Sequence, residues 1–177
     1  MYFIAVLPPP EIDHEIRSLK LEIKEKYQAE SALKLPAHIT LIIPFSMPEE
    51  EEGSLREALK VVAGGCSAFR ISLSGFGHFG KGVIFVKIED HRPVVELHER
   101  ILSAIKEVGS LKLKETDREI HPHINIASRN LRKEDFSSAW KSFKEREFSA
   151  SFLADQFILF RHNGKSWDLQ EGFPLGL

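Results

Sequence analysis

Two stretches of the sequence share one pattern: Pro36-Ala37-His38-Ile39-Thr40-Leu41 and His121-Pro122-His123-Ile124-Asn125-Ile126. Each stretch places a histidine two residues before a small hydrogen-bonding side chain, with an isoleucine between them. On a β-strand, residues two apart point to the same face. We therefore expect His38 and Thr40 to share one face, and His123 and Asn125 to share another, while the intervening isoleucines pack into the core.

The spacing of the two stretches bears on the whole fold. His38 and His123 lie 85 residues apart in a chain of 177, close to half its length. That spacing predicts a duplicated lobe folded about a pseudo-twofold axis, with the two histidines facing each other across a central cleft. No linker or shift in composition divides the chain, so we expect residues 1–177 to form a single two-lobed domain.

Apolar periodicity outside these stretches predicts alternating strands and helices. Strands are predicted at residues 2–7, 38–45, 69–73, 83–88, 121–127, 148–152, 157–161 and 166–169. Helices are predicted at residues 10–27, 54–63, 94–108 and 133–143. Asn163-Gly164 indicates a hairpin, and the glycine-rich stretch 75–82 is interpreted as a turn, with His78 and Phe79 able to reach the rim of the cleft. The order predicts an α+β fold with two antiparallel-rich sheets and outer helices around the cleft.

Composition excludes several classes of protein. With 24 Lys plus Arg against 26 Asp plus Glu, the net charge of −2 argues against binding nucleic acid through bulk charge. The single cysteine, Cys66, excludes a disulfide framework and a cysteine-cluster metal site. No apolar run approaches the ~20 residues of a membrane span, and the N-terminal residues lack the pattern of a signal peptide. We expect a cytoplasmic, monomeric protein that does not interact with a membrane.

A pair of histidines facing each other suits one kind of chemistry. Opening a phosphodiester needs a base to activate the attacking water and an acid to protonate the departing oxygen. Two imidazoles with pKa values near neutrality can do both jobs at physiological pH. Hydroxyl or amide donors beside them would hold the non-bridging phosphate oxygens. This chemistry needs no metal or other cofactor.

The sequence resembles the two-histidine phosphoesterase superfamily, which includes the 2′-5′ RNA ligase-like (LigT-like) proteins and RNA 2′,3′-cyclic phosphodiesterases. The hallmark of the family is a His-x-Thr/Ser-x motif that occurs twice. Residues 38–41 match the first copy, and residues 123–126 match the second except that Asn125 stands where threonine or serine is usual. The opening strand, the segment 75–86 and the closing residues 159–175 are also similar to the family pattern.

The resemblance implies a bilobal α+β fold and hydrolysis of a 2′,3′-cyclic phosphate to a 2′-phosphomonoester, or reversible joining of 2′-5′ linkages. It implies that His38 and His123 are the acid and the base, with their assignment left open, and that Thr40 binds phosphate. Asn125 is carried over as a second phosphate ligand, since its amide can donate to a phosphate oxygen. The implied partner is RNA with a terminal cyclic phosphate or a small nucleotide.

Two further residues are predicted to bind substrate, and two alternatives stay open. Arg129, just past the second motif, is placed to approach the phosphate, and Phe45, after the first motif, could stack on a nucleobase.

Asn125 leaves open a non-catalytic module that binds an RNA end or a nucleotide in the same cleft. His121-x-His123 leaves open a metal hydrolase. The histidines in or beside predicted helices are expected at the surface: His14, His91 and His98.

Overall fold

The computed structural model describes residues 1–108 and 120–176. Their strands are β1 (Tyr2–Val6), β2 (Ile39–Phe45), β3 (Phe69–Phe79), β4 (Val83–Ile88), β5 (His123–Ala127), β6 (Ser149–Ala154), β7 (Gln156–His162) and β8 (Trp167–Pro174). The α-helices are α1 (Pro10–Tyr27), α2 (Glu52–Gly64), α3 (Arg92–Glu107) and α4 (Lys133–Phe143). Short 3-10 helices occupy Ser31–Lys34 and Glu49–Glu51.

The strands form two four-stranded sheets, in the orders β2-β1-β7-β8 and β5-β4-β3-β6. Neighbouring strands pair antiparallel throughout both sheets. The sheets share one plan, because α1 joins β1 to the edge strand β2, and α3 joins β4 to the edge strand β5. Each histidine motif thus belongs to the outermost strand of its own sheet. The predicted α+β class with two antiparallel sheets is confirmed.

Each sheet has one face in the main core and one face turned away from it. Along β1, Tyr2, Ile4 and Val6 belong to the main core. Phe3 and Ala5 alternate with them and belong to a separate, smaller cluster with residues of β7. The same alternation puts the isoleucines of both motifs in the main core. The polar residues of the motifs therefore face away from the core, on the side where a cleft can form.

Helix α1 shows how the sequence builds this arrangement. Pro10 fits the first turn of the helix, where its missing N–H costs nothing. The apolar residues recur every three or four positions, so one side of the helix is buried against the core. The buried residues of this helix are Ile12, Ile16, Leu19, Lys20 and Ile23. The helix ends with Gln28 in the left-handed region, at φ 56°.

Helix α2 is tied to the first sheet by a network of charged groups. Glu52, at the start of the helix, accepts hydrogen bonds from Tyr2 of β1, Arg56 of α2 and Arg161 of β7. Arg56 also pairs with Glu171 of β8. Burial and the neighbouring Glu52 carboxylate raise the pKa of Tyr2 to about 12. The network holds α2 against three of the four strands of the sheet.

The segment predicted as a turn at residues 75–82 is different in the structure. Strand β3 continues through it to Phe79, and the turn is confined to residues 80–82. Gly75 has φ +61° and lies at a register shift between β3 and β4, so the strand passes through an irregularity that glycine accommodates. A Cβ atom on Gly77 would lie 2.6 Å from the Phe85 ring, so the absence of a side chain at this position lets the ring pack against the backbone of β3.

The other predicted elements are confirmed, with shifted ends. Strands β2 and β5 begin at Ile39 and His123 rather than at residues 38 and 121, and β8 extends to Pro174. The hairpin at Asn163-Gly164 is present, with Gly164 at φ +100°. No helix among the described residues is long and apolar enough to cross a membrane.

One predicted surface histidine is buried. His98 on α3 is only 7% exposed. Its Nδ1 atom lies 2.7 Å from the carbonyl oxygen of Leu41 in β2, so the ring donates a hydrogen bond to the edge strand. Helical periodicity alone could not show this contact, because the acceptor belongs to a strand 57 residues away in sequence.

Candidate active site

The two motif histidines are held in the same way. Nδ1 of His38 lies 2.9 Å from the carbonyl oxygen of Pro36, and Nδ1 of His123 lies 2.5 Å from the carbonyl oxygen of His121. Each carbonyl belongs to the residue two positions earlier in the chain. A carbonyl accepts only, so it fixes the proton of the neutral ring on Nδ1 and leaves Nε2 as the atom that exchanges a proton.

The two rings lie within electrostatic range of each other. Burial lowers the pKa of His38, the Pro36 carbonyl opposes this effect, and the charges of Lys20 and of a protonated His123 lower the pKa further. Strand β2 contacts β5, and each motif strand also contacts the helix of the opposite lobe. The structure therefore brings the two sequence-predicted histidines to one place, where the protonation of one affects the other.

The pKa of His123 is also lowered, and burial is again the largest cause. The His121 carbonyl and the Asn125 side chain oppose burial, because both stabilise the protonated ring. Oδ1 of Asn125 is otherwise buried without a hydrogen-bond partner among the described residues. A buried polar group of this kind normally has a partner. Because an amide oxygen only accepts hydrogen bonds, Oδ1 suits the protonated His123 ring, and Nδ2 is the atom of Asn125 that can donate to a ligand oxygen.

Thr40 occupies the equivalent position in the first motif. It is half-buried and pairs in register with Ala5 of β1. Asn125, in contrast, pairs with Phe85 of β4, whose ring lies 4.9 Å from that of His123.

Aromatic rings surround both histidines. Phe79, which is 40% exposed, contacts His123 edge-on at 5.0 Å and lies 4.5 Å from Phe85. On the other side, the ring of Phe3 lies 5.7 Å from His38. Phe3 in turn stacks on Phe160 and meets Trp167 edge-on. These rings supply an apolar lining that lowers the polarity around the imidazoles. The alternation of residues along β4 could have placed Phe85 on the side of the sheet that faces the site. The place of Phe3 beside His38 could not be predicted, because it depends on how the strands pair.

Two side chains of α1 hold the segment that carries His38. Oδ1 of Asp13 accepts a hydrogen bond of 2.6 Å from the backbone N–H of Ala37. Nζ of Lys20 donates a hydrogen bond of 3.1 Å to the carbonyl oxygen of Leu35. Sequence reasoning missed both residues, and the only signal was a lysine at a position where helical periodicity predicts an apolar residue.

Phe45 does not lie in the site, which corrects its predicted role in substrate binding. It is 3% exposed, packs in the main core, and its ring lies 5.9 Å from that of Tyr2. A ring buried in this way has no open face for stacking on a nucleobase. The alternation of β2 turns Phe45 toward the core, whereas His38 and Thr40 face the site.

Arg129 lies in an exposed turn that follows β5, with φ 57°. The turn is held by Ser31, which donates hydrogen bonds to the carbonyl of Ser128 and the side chain of Asn130. At about 3.3 Å per residue, β5 spans roughly 13 Å, so this turn lies at the opposite end of the strand from His123. The structure does not bring Arg129 to the histidines, and its role in binding phosphate stays a prediction.

His121 is exposed, and its backbone carbonyl rather than its ring supports His123. Among residues 1–108 and 120–176, no group of three or more His, Cys, Asp or Glu side chains is placed to hold a metal ion. His78 points elsewhere, since its ring contacts Phe136 and Trp140 of α4.

Comparisons with known proteins show relatives of this fold. A Bacillus licheniformis protein named "Putative phosphoesterase" is 24% identical over 178 residues, covering 99% of this chain and 98% of that protein. TT0787 of Thermus thermophilus superposes with a TM-score of 0.75 at 22% identity, over 98% of this chain and 97% of that one. Escherichia coli LigT, crystallised with 3′-AMP, superposes with a TM-score of 0.67 at 18% identity, over 99% and 98% of the two chains. The model of the 2′-5′ RNA ligase superfamily matches residues 8–166. The chain belongs to the 2′-5′ RNA ligase superfamily.

Proposed function

We propose that this protein is a metal-independent phosphodiesterase that hydrolyses 2′,3′-cyclic phosphates to 2′-phosphomonoesters. Joining of 2′-5′ linkages would be the reverse of the related phosphodiester chemistry. The observation that carries the proposal is the matched anchoring of His38 and His123, each with Nδ1 on the carbonyl two residues earlier. Two imidazoles prepared in the same way, one from each lobe, suit a reaction that needs one base and one acid.

The reaction follows from these positions. One histidine, neutral, takes a proton from water through Nε2 as the water oxygen forms a bond to phosphorus. The bond between phosphorus and O3′ breaks, and the other histidine, protonated, gives its proton to O3′. The Thr40 hydroxyl and the Asn125 amide donate hydrogen bonds to the non-bridging oxygens, where negative charge develops. Every proton removed from water is matched by one delivered to the leaving oxygen.

The substrate we propose is an RNA end with a cyclic phosphate, or a small nucleotide. Phe79 offers an exposed ring 5.0 Å from the centre of the His123 ring, at a place where a base next to the phosphate could stack. Structures of E. coli LigT contain 3′-AMP, ATP, NADP⁺ and phosphate. These compounds are suitable competitors in the assays below.

The test is a panel of 2′,3′-cyclic phosphates and 2′-5′-linked oligonucleotides, incubated with and without a chelator. We expect turnover of the cyclic phosphates to a 2′-phosphate, identified by ³¹P NMR, at the same rate in both conditions. His38→Ala and His123→Ala should each abolish turnover, while His14→Ala, on the exposed face of α1, should retain it. Full activity in either motif variant would exclude the proposed roles.

A second candidate function rests on Asn125. An amide at this position can hold a phosphate oxygen without the compact hydroxyl that the family motif carries, so the cleft could bind an RNA end without turning it over. Tight binding of adenosine 2′,3′-cyclic phosphate with no product, together with turnover by Asn125→Thr, would favour this binding module over the enzyme.

A further inference from the structure

Helix α1 contains a buried lysine that the proposed reaction does not use. Lys20 is 3% exposed, and Nζ donates a hydrogen bond to the carbonyl oxygen of Leu35. No carboxylate of the described residues lies within 4 Å of it. Burial lowers the pKa of Lys20 to about 8. Because an ammonium group is costly to bury without an ion partner, its position calls for a physical explanation.

The backbone that Lys20 contacts is the segment leading into the first motif. Three consecutive residues of this segment are tied down: Leu35 by Lys20, Pro36 by the His38 ring, and Ala37 by Asp13. Positions 13 and 20 are seven residues apart, so both side chains leave the same face of α1. The carbonyl that orients His38 therefore lies between two backbone groups held by one rigid helix.

We propose that Lys20 is a positioning residue for the reaction: from the rigid helix α1 it fixes the backbone segment whose carbonyl orients His38. The inference rests on the proposed function, since it assigns Lys20 a part in the same site. Lys20 acts through His38 and has no contact of its own with the substrate.

The charged groups around the pair determine how this effect can be measured. On α1, Lys20 faces the carboxylate of Asp13 and the guanidinium of Arg17. His38 is affected by Lys20 from α1 and by His123 from β5, both of which lower its pKa. Removing the charge of Lys20 therefore raises the pKa of His38, whereas the neighbouring charges that lower the pKa of His123 are those of His121 and His91, so the titration of His123 changes less.

Two variants separate the charge from the hydrogen bond. Lys20→Gln keeps a donor near Leu35 but has no charge, and Lys20→Met loses both. Lys24→Met is the matched control, because Lys24 lies one turn further along α1, is exposed and pairs only with Glu30 among the described residues. The first measurement is the NMR titration of the histidine rings, with His38 assigned by the loss of its signal in His38→Gln. The second is kcat and KM for adenosine 2′,3′-cyclic phosphate.

We expect the midpoint of the His38 titration to move to higher pH in both Lys20 variants and to stay in place in Lys24→Met. We expect kcat to fall about 10- to 100-fold in Lys20→Met, with little change in KM, as for a misplaced catalytic group. An unchanged His38 titration in both variants, or an unchanged kcat in Lys20→Met, would overturn the proposal. If the wild type turns over no cyclic phosphate, the proposed function fails, and the titration still decides whether Lys20 acts on His38.

Discussion

At the scale of single residues, the two imidazoles differ from ordinary surface histidines in their pKa. Burial is the largest cause of lowering for both His38 and His123, from the usual value of 6.5. The reaction requires one ring neutral and one protonated, so the rate falls when both are protonated and also when both are neutral.

This arrangement predicts a bell-shaped dependence of kcat/KM on pH, with its maximum on the acidic side of 6.5. The value of kcat/KM is the one to measure, because it reports the groups of the unliganded enzyme. Initial rates with a cyclic phosphate between about pH 4 and 9 would show it. A rate that rises to a plateau above neutrality would contradict the requirement for a protonated histidine.

Phe79 carries a prediction about substrate affinity. Removing its ring in Phe79→Ala should raise KM for adenosine 2′,3′-cyclic phosphate by about 5-fold or more, because base stacking on an aromatic side chain contributes about 1–3 kcal/mol. We expect a small change in kcat, since His123 keeps its backbone anchor. Leu153→Ala is the matched control, since Leu153 is a similarly exposed apolar residue on β6. Equal KM values in the two variants would remove Phe79 from the binding site.

At the scale of elements, α3 supports the motif strand of the opposite lobe through His98. Replacing this residue in His98→Leu leaves the Leu41 carbonyl without its donor, which should lower the free energy of unfolding by about 1–3 kcal/mol. Chemical denaturation would measure the loss. The control is His14→Leu, at an exposed position of α1, which should leave the free energy of unfolding nearly unchanged. A stable His98→Leu variant would show that water or a rearranged strand replaces the contact.

Helix α1 contributes an alkaline dependence of stability through Lys20. Its pKa in the folded protein is about 8, against 10.5 for an ordinary lysine, so the unfolded chain holds more protons between these values. Stability should therefore rise by about 2 kcal/mol from pH 8 toward pH 10. Above pH 10 the trend reverses, because the pKa of Tyr2 is raised from 10.0 to about 12.

Denaturation curves at about pH 8 and pH 9.5 test this window. The wild type should be more stable at the higher pH, and Lys20→Met should lose that difference. A rise of equal size in Lys20→Met would assign the effect to another group.

The elements themselves could largely be predicted from the sequence. The spacing of apolar residues predicted helices α1 and α4 where the structure has them, because this pattern depends only on the local sequence. The extension of β3 to Phe79 could not be predicted, because it depends on Gly77 making room for the Phe85 ring of the next strand. Glycines suggest a turn when their tertiary neighbours are unknown.

At the scale of the whole molecule, the spacing of the two motifs predicted a duplicated lobe, and the structure shows two sheets of like plan with one motif at an edge strand of each. The motifs themselves predicted His38 and His123, and the structure shows them within electrostatic range. The supports of the site were not predictable, because they come from distant segments. Lys20 reaches Leu35 across 15 residues, and His98 reaches Leu41 across 57. Phe45 was misplaced because stacking was inferred from nearness in sequence, whereas strand alternation buries its ring.

In the proposed function, one histidine from each lobe forms a single acid–base pair. Groups that act as a unit give non-additive losses when they are removed. The most direct measurement is single-turnover hydrolysis of adenosine 2′,3′-cyclic phosphate by His38→Ala, His123→Ala and the double variant. We predict that each single variant loses at least about 100-fold and that the double variant is no slower than the slower single variant. Losses that multiply in the double variant, or a single variant that keeps the wild-type rate, would contradict the pair.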